Sequence, residues 1–183
     1  MSCHWYLVAS LPYLRFGEKP AMNADAFRAA CEGQLSPEEM SLVIAVLDRR
    51  EPPADSVAAQ WWNGEVQIRN TLVQLRVKKS PAEISGTLRP FDGFSVTIQK
   101  LTTDAFARSN PSELEQEIDR LRWALADELA LTEPFGFAAV IAYAVKVKIA
   151  ERWAQMNDEK GLAVVEELIE KVTALENEQE AES

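Results

Sequence analysis

Asn110-Pro111-Ser112-Glu113-Leu114-Glu115-Gln116-Glu117-Ile118-Asp119-Arg120-Leu121-Arg122-Trp123-Ala124-Leu125-Ala126-Asp127-Glu128-Leu129 is the stretch on which the fold reading turns. Asn110 suits a helix N-cap and Pro111 the first helical position, where a missing N–H costs nothing. Glu113 then places negative charge in the first turn. Leu114, Ile118, Leu121, Leu125 and Leu129 recur at intervals of three and four, which predicts one apolar helix face with a charged back. Working outward, Thr132-Glu133-Pro134 reads as the opening of a second helix with the stripe Ala138, Ile141, Val145, Ile149, Trp153 and Met156. From Asp158 a third carries Leu162, Val165, Ile169 and Val172 at coiled-coil-like spacing.

Toward the N-terminus the same logic gives shorter helices. Ser36-Pro37-Glu38-Glu39 joins a capping serine to a first-turn proline and a glutamate at the third position, ahead of Met40, Val43, Ile44 and Leu47. Asn23 or Asp25 can cap a helix through Phe27 and Cys31 that ends at Gly33. Glu51-Pro52-Pro53-Ala54-Asp55 breaks the chain, and Val57, Trp61, Ile68, Leu72 and Leu75 mark a long helix to Lys79, with Asn63-Gly64 as a competing turn signal. Trp5 to Leu11 fits either a short strand or the start of a helix, and Phe94-Ser95-Val96-Thr97-Ile98 either a strand or a loop. The expected architecture is mostly α, an antiparallel helical bundle with two small halves. These are residues 1–100, with an irregular segment at 80–100, and residues 101–183, three helices ending in an acidic one; one continuous domain is the alternative.

At 183 residues and 47% hydrophobic, the chain can build a core without disulfides or metal. A single histidine, His4, excludes a multi-histidine metal centre, and near the terminus it reads as a partly solvated packing residue. Cys3 and Cys31 make no disulfide framework and suggest a reducing, cytoplasmic setting. The net charge of −10 disfavours a nucleic-acid partner. From Asp158 onward nine carboxylates face only Lys160 and Lys171, a net −7 that leaves −3 for the rest of the chain. The apolar run Phe135 to Val145 falls short of the about 20 residues that cross a bilayer.

The residues of most enzyme chemistries are missing as patterns. Neither GxGxxG nor GxxxxGK[ST] offers a phosphate cradle, and neither CxxC nor HExxH offers metal spacing. The chain is therefore expected to be non-catalytic, with no cofactor and no metal. Glu38-Glu39, Glu117-Asp119 and Glu166-Glu167 read as solvated faces, because neighbouring helical residues diverge by about 100°. Cys31 reads as a buried small apolar residue.

Two constellations stand out. Trp61 and Trp62 precede Arg69, Asn70, Arg76, Lys78 and Lys79, a run of bases with no acid between 69 and 79. It fits a solvated stripe and a polar helix-to-helix seam equally well. Tyr143 to Trp153 places Glu151 and Arg152 in the middle of an apolar helix, where core plus surface is the plain reading.

Together they resemble a known family. Arg69-Asn70-Thr71-Leu72-Val73-Gln74-Leu75-Arg76-Val77-Lys78 resembles a segment of the C subunit of bacterial and archaeal V/A-type ATPases, and Tyr143 to Trp153 resembles a later helix of that family. The opening Trp5 to Pro12, with Phe16-Gly17-Glu18-Lys19-Pro20, is similar to a shorter bacterial group encoded alongside V-type ATPase subunits. C subunits are longer, with three related helical modules, which this chain is too short to hold. The resemblance implies a non-catalytic accessory or central-stalk-type subunit that couples the central axle to the membrane ring by contact. It would be cytoplasmic and peripheral to the inner membrane, and Trp61, Trp62, Arg69, Asn70, Arg76, Lys78, Tyr143, Glu151 and Arg152 would be internal ties or partner contacts. The competing readings are a stand-alone adaptor that self-associates through the C-terminal helix, and a small-molecule enzyme with a pocket near Trp61 and Trp62.

Overall fold

The computed structural model describes residues 4–79 and 88–156. Among these the chain forms seven helices and no strand: α1 (Trp5–Ser10), α2 (Ala24–Cys31), α3 (Pro37–Leu47), α4 (Val57–Lys79), α5 (Val96–Phe106), α6 (Pro111–Thr132) and α7 (Phe137–Gln155). This is a mostly α bundle. The acidic helix expected from Asp158, with its stripe from Leu162 to Val172, lies outside the described residues.

The caps follow the sequence chemistry. Ser36 and Glu39 form a reciprocal capping box at the start of α3, with Pro37 in the first turn. Asn23 accepts a hydrogen bond from the Ala26 N–H to open α2, and Asn110 one from the Ser112 N–H ahead of Pro111 to open α6. Trp5 to Ser10 is helical, resolving the first ambiguity.

Two local readings need correction, and the competing turn signal within α4 is settled in favour of the expected helix. Phe94 to Ile98 is neither wholly loop nor strand: Ser95 accepts from the Ile98 N–H and starts α5. The β-branched run Val96-Thr97-Ile98 is helical because Ile98, Thr102 and Ala105 bury one face of α5 against the bundle. Thr132-Glu133-Pro134 ends α6 rather than opening α7, the Thr132 hydroxyl donating to the Leu129 carbonyl, and Gly136 is the N-cap of α7. Asn63-Gly64 sits inside α4 without a turn. A Cβ on Gly64 would lie 3.0 Å from a Leu125 methyl and 3.5 Å from one of Ile98, so its bareness serves the close approach of α5 and α6.

The larger hydrophobic core joins α1 to α4 with α6 and α7, so side chains from both sides of residue 100 share it. A smaller cluster of Ile68, Leu72, Ile98, Ala105, Ile118 and Leu121 lies between α4, α5 and α6. α7 is the central rod. Beyond the predicted stripe, Val140, Ala142, Ala144, Val147 and Ala150 are also buried, because α2, α3, α4 and α6 surround it. Its small residues let those neighbours approach. Among the described residues no helix is long and apolar enough to cross a membrane.

Candidate functional site

Where α4, α6 and α7 meet, two carboxylates are buried almost completely: Glu65 is 2% exposed and Asp119 1%. On α6, Glu115, Asp119 and Arg122 share one face at intervals of four and three, while Glu65 and Arg69 are one turn apart on α4. Arg122 grips Glu65 with both sides of its guanidinium, Nε to Oε2 at 2.7 Å and Nη2 to Oε1 at 3.1 Å. Its Nη1 donates to Asp119 Oδ1 at 2.8 Å. Arg69 Nε donates to Glu65 Oε1 at 2.6 Å. From α7, Arg152 Nη2 and Trp153 Nε1, the latter at 2.8 Å, both donate to Asp119 Oδ2, and Arg152 also reaches Glu115 at 3.3 Å.

The network balances itself. Three carboxylates (Glu65, Asp119, Glu115) face three guanidiniums (Arg69, Arg122, Arg152), which is how charge survives burial. Burial disfavours the Arg122 cation, but Glu65 and Asp119 outweigh it and push its pKa above the usual arginine value. Glu65 and Asp119 each accept three hydrogen bonds from these side chains, which fixes both carboxylates in place. Chemically, the arrangement is a strut between helices.

The residues singled out by sequence divide around this strut. Arg69 and Arg152 belong to it, and Arg69 also lies 5.3 Å over the Trp62 ring. Trp61 and Trp62 are buried, and Trp61 Nε1 donates to the Arg122 carbonyl at 3.4 Å. Arg76 and Lys78 are exposed and remote from it. Asn70 ties helix to loop rather than helix to helix. Its Nδ2 donates to the Arg89 carbonyl at 2.7 Å, and its Oδ1 accepts the Arg89 N–H at 3.1 Å. Gln67 does the same for Ser95 and Asn63 accepts from Asp92, so three amides along α4 hold the segment 89–95.

Glu151 faces elsewhere, accepting the Ala24 N–H at 2.6 Å at the start of α2, where the helix dipole favours an anion. Tyr143 packs 4.9 Å from Phe27, and burial pushes its phenol up to about 12. Burial likewise pushes the Cys31 thiol up to about 11. His4 is buried, not partly solvated, with Nε2 3.1 Å from Glu39.

Sequence reading missed Glu65, Asp119 and Arg122. Glu117 and Asp119 do diverge, and Glu117 pairs with Arg120 at the surface, but Asp119 points into the bundle. A usable signal was present: Asp119 and Arg122 flank Ile118 and Leu121 on the apolar stripe. The slot beside Trp61 has a volume of only about 30 Å³, room for a water rather than an organic ligand.

A family model described as "Protein of unknown function (DUF2764)" matches residues 98–175. The match takes in α5, α6 and α7, and so Asp119, Arg122 and Arg152, but not α4 and Glu65. No curated protein and no solved structure matches the chain.

Proposed function

We propose that this chain is a non-catalytic accessory or central-stalk-type subunit of a bacterial V-type ATPase, working through contacts that pass force between rotor and membrane ring. The observation that carries the reading is the convergence of the two segments on which the resemblance rests. Arg69 from the first and Arg152 with Trp153 from the second close on Glu65 and Asp119, bridged by Arg122. Helices cross-braced by short charged bonds around a central rod suit a part that bears load. Trp5, Tyr6 and Phe135, more than half exposed at the end where the His4 N–H meets the Phe135 carbonyl, supply apolar surface of the kind that marks protein contacts.

The test is purification of the chromosomally tagged chain from its own host under conditions that keep membrane complexes intact. The reading expects rotary-ATPase subunits in stoichiometric yield, and a lower yield for Trp5→Ala with Tyr6→Ala. Recovery of the chain free of every ATPase subunit, with the complex intact in the same extract, refutes it.

A further inference from the structure

Positive charge is missing from whole stretches of this chain. Residues 1–14, 29–48 and 123–145 contain no Lys or Arg, yet they hold seven Asp and Glu. They supply α1, α3, the last part of α6 and the start of α7. All of them meet at one end of the bundle, where the His4 N–H reaches the Phe135 carbonyl at 3.1 Å and His4 Nε2 lies 3.1 Å from Glu39. Four of the seven acids do not contribute free charge there: Glu39 is held by His4, Asp127 by Lys146 and Asp48 by Arg50, and Glu32 closes α2. That leaves Glu38, Glu128 and Glu133, all exposed and none in an ion pair among the described residues.

Each of the three is placed by its element. Glu38 stands in the first turn of α3 next to Glu39, Glu128 lies one turn before Leu131 at the end of α6, and Glu133 folds its side chain over Gly136, the N-cap of α7. The same end carries the apolar surface. Trp5, Tyr6, Leu131 and Phe135 are each more than half exposed, and the Trp5 and Tyr6 rings meet edge-on at 5.9 Å. α1 bears no charged residue, and its Leu7 is buried in the core, which fixes the two rings outward. The free acids narrow what this surface can take. A second copy would set carboxylates against carboxylates, and an anionic lipid surface would repel them in the same way. A wholly apolar partner would strip them of water and return no counter-charge. Cations meet both needs, since they pair with carboxylates and stack on Trp and Tyr faces.

We propose that this end of the bundle receives a cationic amphipathic helix of a partner protein, its apolar side chains on the exposed rings and its Lys or Arg on Glu38, Glu128 and Glu133. The assignment rests on the contact role given to this end above and adds the chemistry of what it meets. Apolar anchors supply the contact area, and the carboxylates around them select the sign of the partner.

Fluorescence anisotropy of a labelled synthetic helix of Leu and Lys heptads, titrated with the full chain at low salt, tests the assignment. The peptide binds, and Glu38→Gln with Glu128→Gln and Glu133→Gln weakens it about tenfold, the sum of three modest charge pairs. Trp5→Ala with Tyr6→Ala weakens it several-fold, and NaCl at about 0.5 M, where the Debye length is roughly 4 Å, does the same. The control removes equal charge elsewhere: Asp92→Asn with Asp104→Asn and Glu113→Gln, all exposed, changes binding less than about twofold. Equal weakening by the two triple variants makes the attraction a diffuse effect of the net charge of −10 and overturns the proposal. So does a peptide that does not bind, a Leu and Glu counterpart that binds as tightly, or capture of the chain by phosphatidylglycerol vesicles in preference to the peptide. No ATPase subunit enters these titrations, so their outcome and that of the purification above are read separately.

Discussion

Asp119→Ala deletes one side chain and strands three donors: Arg122 Nη1, Arg152 Nη2 and Trp153 Nε1. Breaking a buried ion pair from one side costs about 3–5 kcal/mol, because the partner charge stays where water cannot reach it. Here relief is partial. The Arg122 and Arg152 side chains keep 17% and 27% exposure and Arg152 retains Glu115, which places the expected loss at the lower end, about 3 kcal/mol. For a chain of this size that lowers the melting temperature by roughly 6–12 °C. Urea unfolding followed by tryptophan fluorescence reads the change directly, since Trp153 sits on Asp119 itself. Arg50→Ala is the control: its pair with Asp48 is more than half exposed on both sides, and its loss costs less than about 1 kcal/mol. Arg152→Ala costs less in the Asp119→Ala background than in the unaltered chain. If Asp119→Ala unfolds at the same urea concentration as Arg50→Ala, the network is not a strut and the reasoning built on it fails.

Other perturbations probe other ties. Burial pushes the Glu39 carboxyl up, but the Ser36 N–H and His4 outweigh it and hold it below its ordinary value of 4.5. A depressed carboxylate contributes stability that is full above its unfolded pKa and lost as pH falls through the folded one. Acid titration of unfolding therefore steepens below about pH 4.5, and Glu39→Gln flattens that limb. Gly64→Ala trades a helix-propensity gain of about 1 kcal/mol against crowding of Leu125 at 3.0 Å and changes stability little, whereas Gly64→Val overpacks the same spot and costs about 1–3 kcal/mol in urea. Asn70→Ala removes both bonds from a buried amide to the exposed Arg89 backbone, whose groups water can then satisfy, costing about 1–2 kcal/mol, and speeds hydrogen exchange of the Arg89 amide by several-fold relative to its neighbours.

How far the sequence could be read depended on whether the signal was local. Caps at Asn23, Ser36 and Asn110 need only their own few residues, and all three form as their chemistry requires. The stripe on α6 was legible for the same reason. α5 was not, because Val96-Thr97-Ile98 carries a strand preference that only the packing of Ile98, Thr102 and Ala105 overrides. Asp119 defeated the reading in a different way. Period alone assigns a charged residue beside Ile118 to the solvent face, and nothing near it in sequence announces that Arg152, 33 residues on, will meet it. Arg69 and Asn70 came out of the ambiguous basic run as ties, while Arg76 and Lys78 went to solvent, because the buried part of α4 ends at Leu72.

The buried charges make most sense when set against α7. This helix is apolar nearly all round and rich in alanine, so burial and packing by themselves distinguish weakly between its present position and one shifted by a turn, about 5.4 Å along its axis. The polar ties are not so tolerant. A slide that left Val140, Ala144 and Val147 buried would pull Arg152 from Asp119 and Glu151 from the Ala24 N–H at once, leaving unpaired charges in a dry setting. Glu65 and Arg122 hold α4 and α6 to each other in the same way, so the three helices are fixed along their axes as well as pressed together. For a hydrophobic bundle that transmits axial or twisting load this is the deformation that matters, since apolar contact resists separation but not sliding. The loss on Asp119→Ala should therefore appear in the denaturant slope as well as the midpoint: a native state freed to shift along α7 is already looser before it unfolds.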